Sequence, residues 1–260
     1  MSDSGQPPFM TGSNTCQHFD SGLLSGAYII SDIIRIYKYG IMILDFTNIT
    51  VAAIKADGVE IQGRSRYYDY VMAHTGPGQF LEFGVHRCKS INMMAKHDPK
   101  RNFTGFDSFE GLPEDWVQNP DASYIRHPKG SFALDEGEEM PHTEPNVSLV
   151  KGWFEDSLPV WLTTPEAVER IGILHIDCDL YSSTKTVLDL MNDKIEPGMF
   201  LMFDELFSEP PKDVASEKHY FTWEEHEWKA LKEWMETYNR TLKTICVTGR
   251  TKKVTFEVIT

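Results

Sequence analysis

Two short apolar runs, residues 173–176 and 199–203, each stop on acids: Asp177 and Asp179 after the first, Asp204 and Glu205 after the second. Unbroken apolar runs of this length read as strands buried on both faces, the pattern of a parallel sheet. Between them Thr184, Val187, Leu188 and Met191 recur at i, i+3, i+4 and i+7, one face of a helix. Ser182 or Ser183 is placed to cap that helix, and Pro197-Gly198 turns the chain into the second strand. The unit is βαβ with a right-handed crossover. If its strands are neighbours, roughly 4.8 Å apart, their acids meet at the edge where open α/β sheets bind ligands. A single acid after a strand is ordinarily a solvated loop residue or a cap. Two successive strands ending in D-x-D and D-E favour a site, because crowded carboxylates need a cation or a shared proton.

The same patterning organises the rest of the chain. Residues 1–22 are polar and rich in Gly, Ser and Pro, which predicts a mobile arm. Ile30, Ile33, Ile34 and Tyr37 fit a helical face, 51–62 is a helix or a hairpin around Asp57-Gly58, and 64–74 is a helix with Tyr67, Tyr70 and Val71 on one side. A strand at 80–83, a tight turn at Gly84 and a helix starting over 90–96 follow. Next come a strand at 103–106 ending in Asp107, a long loop at 118–146 and a strand at 147–151. Thr164-Pro165-Glu166 reads as a helix start. Beyond the βαβ unit lie a polar loop at 208–221, an amphipathic helix at 223–239 marked by Trp228, Leu231, Met235 and Tyr238, and strands at 244–248 and 254–259 joined by an exposed turn containing Lys252-Lys253. The sum is a doubly wound α/β domain over 65–260 with an antiparallel strand at its end, preceded by an arm and cap at 1–64.

Composition narrows the function. With 25 basic and 39 acidic residues the net charge is −14, which opposes binding to nucleic acid or to an anionic membrane surface. Cys16, Cys88, Cys178 and Cys246 are far apart with no metal-type spacing, as expected of free thiols in a reducing compartment. No run approaches a membrane span and the first residues lack a signal-peptide pattern, so the expectation is a cytoplasmic protein. The four N-x-S/T triplets then read as chance matches.

Several residues could carry chemistry. A strand–turn–helix at Gly84 can receive a nucleotide-like ligand through backbone N–H groups. It lacks the G-x-G-x-x-G needed for a pyrophosphate, and Glu82 just before the turn would repel phosphate. Asp107 stands where an acid hydrogen-bonds ribose hydroxyls. An adenosine with a cationic, unphosphorylated tail suits both acids, and S-adenosylmethionine is that molecule. Cys178 reads as a buried filler, His175 as a satisfied core histidine and the 223–234 aromatic stripe as helix core, while His219 and His226 are weaker candidates for facing an acceptor.

LEFGVHRCKS, GFDSFEGLP, GWFEDSLP and HIDCDLYSST…FDE, in that order, closely resemble the metal-dependent sugar O-methyltransferases of the macrocin O-methyltransferase family. The resemblance covers about residues 65–260. It implies a Rossmann-like class I methyltransferase sheet of seven strands with the last reversed. It further implies that Glu82, Gly84 and Ser90 border the methionine part of S-adenosylmethionine, Asp107 holds the ribose, Trp153, Phe154 and Asp156 line the adenine, and Ser108 belongs to the cofactor-binding set. Asp177 also belongs to the cofactor set; Asp177, Asp204 and Glu205 match the ligands of Mg2+, and Asp179 matches the general base. Glu205 stands where relatives carry Asp or Asn, and His86-Arg87-Cys88-Lys89 replaces a glycine-richer turn. The function expected is Mg2+-dependent methylation of a hydroxyl on a small molecule, a sugar or glycosylated metabolite, by a monomer or a homo-oligomer. A catechol-type O-methyltransferase and a non-catalytic cofactor-binding relative are the alternatives, and a nicotinamide dehydrogenase is disfavoured by the missing glycines. Acceptor recognition is expected in the N-terminal residues and the 118–146 loop.

Overall fold

A computed structural model describes residues 37–38, 41–209, 220–248 and 253–260. The expected arm at 1–22, Ile30, Ile33 and Ile34, Pro210-Pro211, His219 and Lys252 lie outside the described residues. The described elements, in chain order, begin with β1 (Tyr37–Lys38), β2 (Ile41–Met42), α1 (Val51–Asp57), β3 (Val59–Ile61) and α2 (Arg64–His74). They continue with β4 (Gln79–Phe83), α3 (Lys89–His97), β5 (Phe103–Asp107), β6 (Val147–Lys151), α4 (Phe154–Trp161) and β7 (Ile171–Ile176). The last are α5 (Tyr181–Met191), β8 (Phe200–Phe203), α6 (Glu227–Thr237), β9 (Leu242–Thr248) and β10 (Val254–Val258).

The main sheet has eight strands in the order β3-β9-β10-β8-β7-β4-β5-β6. β10 runs antiparallel to both neighbours, and the other pairings are parallel. The two strands of the βαβ unit are neighbours, which meets the condition for their acids to converge, with Ile173 opposite Phe200 and Ile176 opposite Phe203. The chain leaves β4 for β5 and β6 on one side, then returns to place β7 and β8 on the other. That reversal between β4 and β7 is the switch point at which such sheets open a ligand crevice.

Every residue of β4, β7 and β8 is buried. Alternation divides their side chains between two layers. Leu81, Phe83, Leu174, Ile176, Leu201 and Phe203 pack with α1, α4, α5 and α6. Phe80, Ile173, Phe200 and Met202 pack with α2 and α3. Glu82 and His175 alternate onto the second layer, under α2.

Local differences from the sequence reading have physical causes. The sheet has an eighth strand because β3 adds to β9 in parallel, and Met42, Leu44, Ile49, Ala53 and Ile54 join the main core. Among the described residues, α1 and β3 therefore pack with the same compact unit as the rest of the sheet. The 51–62 ambiguity resolves as helix then strand, with the Thr50 hydroxyl accepting from Ala53 N–H at the helix start. Tyr37, expected on a helical face, lies in a two-residue strand. Ser182 and Ser183 fall inside the first turn of α5, whose N-cap is Leu180, and Ser182 Oγ donates instead to Glu114. Pro165 opens a short 3-10 turn, and the preceding α4 accommodates Pro159 near its end. The 223–239 helix is split at His226 into a 3-10 turn and α6. Its Trp228, Leu231, Trp234 and Met235 are core, as the stripe predicted.

Candidate active site

The site forms at the C-terminal ends of the parallel strands. After β4, Gly84 has φ +92°, and a Cβ there would come within 2.0 Å of the Asp177 carbonyl oxygen. Only glycine satisfies both demands. The residues replacing a glycine-rich turn keep glycine-like backbone: His86 and Cys88 have φ of 46° and 57°. Asp107, at the end of β5, clamps this turn. Its Oδ2 accepts from His86 N–H and its Oδ1 from Phe109 N–H, each at 2.7 Å. After β6, Gly152 leads into Trp153, the N-cap of α4, which makes no side-chain capping bond.

β7 and β8 deliver the acids. Asp179 adopts φ +63°, the left-handed region that Asp tolerates better than most residues and that is over-represented at functional sites. Asp177 and Asp204 lie close enough to His175 that the three offer one donor atom each within 4.8 Å of one another; Glu205 is outside that group. Burial raises the Asp177 carboxyl to about 6, with Glu82 and Glu205 adding to the rise and His175 and Lys253 opposing it. His175 is fully buried in the core, as predicted, but only one of its two ring nitrogens is hydrogen-bonded. Its Nε2 meets Asp204 Oδ1 at 2.9 Å and its Nδ1 faces Glu82 Oε2 at 3.2 Å. Glu82, itself fully buried, accepts from Ser90 Oγ at 2.5 Å.

Lys253 overturns the reading of an exposed turn. It is 2% exposed, and its ammonium pairs with Asp204 Oδ2. Burial lowers its pKa to about 8 against the pull of Asp177. A second residue overlooked in the sequence is Glu227, fully buried at the start of α6, whose Oε2 accepts from Glu205 N–H at 3.1 Å. Burial first, then Glu205, Asp179 and Asp177, pushes it well above the usual carboxylate range. Both left a signal. Glu227 falls on the apolar face, four residues before Leu231, and Lys253 directly precedes the strand that pairs with the one ending at Asp204.

These strand ends surround a cavity of about 710 Å³. Of the predicted residues, Gly84, Asp107, Ser108, Trp153, Phe154, Asp177, Asp179, Asp204 and Glu205 line it. Glu82 and Ser90 do not: they pair with each other, Glu82 fully buried and Ser90 partly so. Asp156 is exposed in the first turn of α4, where an acid favours the helix N-terminus. The long loop contributes Arg126, His127 and Phe132 to the wall, with His127 stacked on Trp116 and Phe132 at 5.3 and 5.0 Å between ring centres. Arg64 adds a cation from the start of α2. Cys178 borders the cavity, yet burial pushes its thiol well up and Thr184 Oγ1 lies 3.4 Å from its sulfur, which suits a filler. His226 does not line the cavity. Cys88, Cys178 and Cys246 are free and buried. Among the described residues no helix is long and apolar enough to cross a membrane.

Known proteins resemble this chain in sequence and in fold. The sequence profile described as Macrocin-O-methyltransferase (TylF) matches residues 62–222. Demethyldecarbamoylnovobiocin O-methyltransferase of Streptomyces niveus is 30% identical over 163 residues, which cover 56% of this chain and 60% of the relative. The 8-demethyl-8-(2,3-dimethoxy-alpha-L-rhamnosyl)-tetracenomycin-C 4'-O-methyltransferase of Streptomyces olivaceus is 28% identical over 159 residues, 56% of this chain and 59% of the relative. The chain thus spans less than two thirds of the length of these relatives. The crystal structure of the calicheamicin methyltransferase CalS11 superposes with a TM-score of 0.52 at 23% identity, covering 74% of this chain and 76% of that one, a likeness of fold.

Proposed function

This chain belongs to the macrocin O-methyltransferase family, and on that premise we propose that it is an S-adenosylmethionine-dependent O-methyltransferase that methylates a hydroxyl of a small molecule, a sugar or glycosylated metabolite, with Mg2+ as its metal. One observation carries this reading: Gly84, Asp107, Trp153, Asp177, Asp179 and Asp204, contributed by five strand ends, line a single cavity. Its volume is in the range of small-molecule sites.

The residues fit both absent groups. Gly84 leaves the backbone bare where a Cβ could not stand, Asp107 lines the cavity where ribose hydroxyls bind, and Trp153 with Phe154 offers an apolar wall for adenine. Asp177 and Asp204 are hard oxygen donors a few ångströms apart, and Mg2+ is ordinarily held by one or two carboxylates. When bound, S-adenosylmethionine supplies an electrophilic sulfonium methyl and Mg2+ makes a coordinated hydroxyl more acidic. Asp179 takes the hydroxyl proton on a carboxylate oxygen, help typically worth ~10²–10⁴-fold. Asp107 orients the cofactor by accepting from its ribose. The 118–146 loop and Arg64 shape the acceptor side and exclude water. A glycosidic acceptor is favoured by the relative whose name specifies 4'-O-methylation of a rhamnosyl compound.

Calorimetric titration of S-adenosylhomocysteine, with and without Mg2+, tests the reading on wild type and Asp107→Ala. Wild type is expected to bind and Asp107→Ala to bind more weakly. Absence of binding in both metal conditions sinks the reading. Turnover on a glycoside panel is expected, and turnover confined to catechols would replace the sugar acceptor with an aromatic diol.

A further inference from the structure

Lys253 reaches the site by a route open only to the reversed strand. Parallel strands present their last residues at the ligand edge, whereas β10, running against them, presents its first. Because Val254 pairs with Phe203, the residue before Val254 stands opposite the residue after Phe203, which is Asp204. Thr248 pins the lysine backbone there: its N–H donates to the Lys253 carbonyl at 3.1 Å and its hydroxyl accepts from Lys253 N–H at 3.3 Å. The ammonium pairs with Asp204 Oδ2 and lies 5.6 Å from the centre of the Tyr68 ring. Asp204 Oδ1 faces His175 Nε2. Each oxygen of Asp204 therefore already meets a buried protein group, and one of those groups carries a positive charge. Asp177, Glu82 and Asp179 also bear on this ammonium, as does the cationic Arg64.

We propose that Lys253 is the resident counter-ion of Asp204, and that a divalent cation loads onto this centre in competition with it, so that the lysine sets the affinity of the metal site. The inference rests on the reading above, in which Asp177 and Asp204 hold the metal. An ammonium against one of two carboxylates cancels part of the negative charge that attracts the ion, and it repels the ion directly. The incoming cation must draw Asp204 Oδ2 away from Lys253 or bind through fewer ligands. In the cation-free protein the same ammonium relieves the repulsion among Asp177, Asp204 and Glu82, so the acids can stay packed without metal. A lysine present only for packing would behave oppositely: its loss would loosen Asp204 and weaken metal binding.

The test is Mn2+ binding, followed by electron paramagnetic resonance of the free ion, to the EDTA-stripped full chain as wild type, Lys253→Gln and Lys253→Arg. Glutamine keeps a hydrogen-bond donor for Asp204 without the charge, and arginine keeps the charge. Lys253→Gln is expected to bind Mn2+ roughly tenfold tighter or more, and Lys253→Arg no tighter than wild type. Equal or weaker binding by Lys253→Gln overturns the proposal, as does absence of Mn2+ binding in all three proteins. Should Lys253→Gln fold only in the presence of Mn2+, that dependence supports the proposal, and failure to fold at any Mn2+ concentration overturns it. S-adenosylhomocysteine titrations of the same proteins with and without Mn2+ separate the two failures: cofactor binding with unaltered Mn2+ affinity removes only the role of Lys253, whereas absence of cofactor binding by wild type in both conditions removes the methyltransferase reading.

Discussion

Gly84 and Asp177 follow different strands, yet a side chain on the first would run into the carbonyl oxygen of the second, 2.0 Å from where its Cβ would sit. The turn after β4, proposed above to receive the cofactor, and the strand end that carries an acid are thereby locked in register, a link reinforced by Asp177 N–H donating to the Phe83 carbonyl at 2.9 Å. Gly84→Ala must both adopt a left-handed backbone and push the strands apart. It is expected to lose about 2–4 kcal/mol of stability, read from denaturant midpoints, together with measurable S-adenosylhomocysteine binding. An unchanged midpoint would contradict the close approach.

Asp179→Asn separates chemistry from architecture. Asparagine tolerates the left-handed backbone as well as aspartate does, so the φ of +63° is preserved. Turnover is expected to fall ~10²–10⁴-fold with S-adenosylhomocysteine affinity within error of wild type. Full activity would remove Asp179 as the base.

Glu227 predicts a pH effect. Its carboxyl lies above the usual range because it is buried near Glu205, Asp179 and Asp177. A carboxyl whose native value exceeds its unfolded value binds more protons folded than unfolded. Its contribution is therefore intact below about pH 4.3 and is lost as the pH rises above that. Glu227→Gln keeps an acceptor for Glu205 N–H without this penalty. In EDTA its melting temperature is expected to exceed that of wild type by a margin that widens from pH 5 to pH 8, and a constant margin would show that Glu227 is ionised in the fold.

Trp153 borders the cavity without capping α4, so truncating it perturbs the ligand more than the helix. Trp153→Ala is expected to weaken S-adenosylhomocysteine binding by roughly 1–3 kcal/mol, the scale of a lost base–aromatic stack, with little change in melting temperature. Unaltered affinity would place the adenine elsewhere.

What the sequence made legible is what hydrophobic period and strand-end chemistry encode. The parallel strands and the cavity position of Asp107, Asp177, Asp179 and Asp204 follow from runs that stop on acids, and the reversed last strand from the short turn between 244–248 and 254–259. Pairings between distant segments were harder to read. Nothing local says that Val59–Ile61 will extend the sheet beside Leu242–Thr248. The family resemblance put Glu82 and Ser90 beside the cofactor, whereas alternation along β4 turns Glu82 toward the α2 layer, where Ser90 donates to its Oε1 and its Oε2 stands 3.2 Å from His175 Nδ1. Lys253 looked solvent-exposed because charge adjacent to a turn usually is; only its register with Asp204 reverses that.

The reversed strand also gives the site an order of assembly. During synthesis Glu82, Asp177 and Asp204 leave the ribosome before Lys253 does, so the acids emerge ahead of the ammonium that pairs with Asp204. The pairing that seats β10 between β8 and β9 also sets the Lys253 ammonium against Asp204, so sheet register and charge balance at the strand ends stand or fall together.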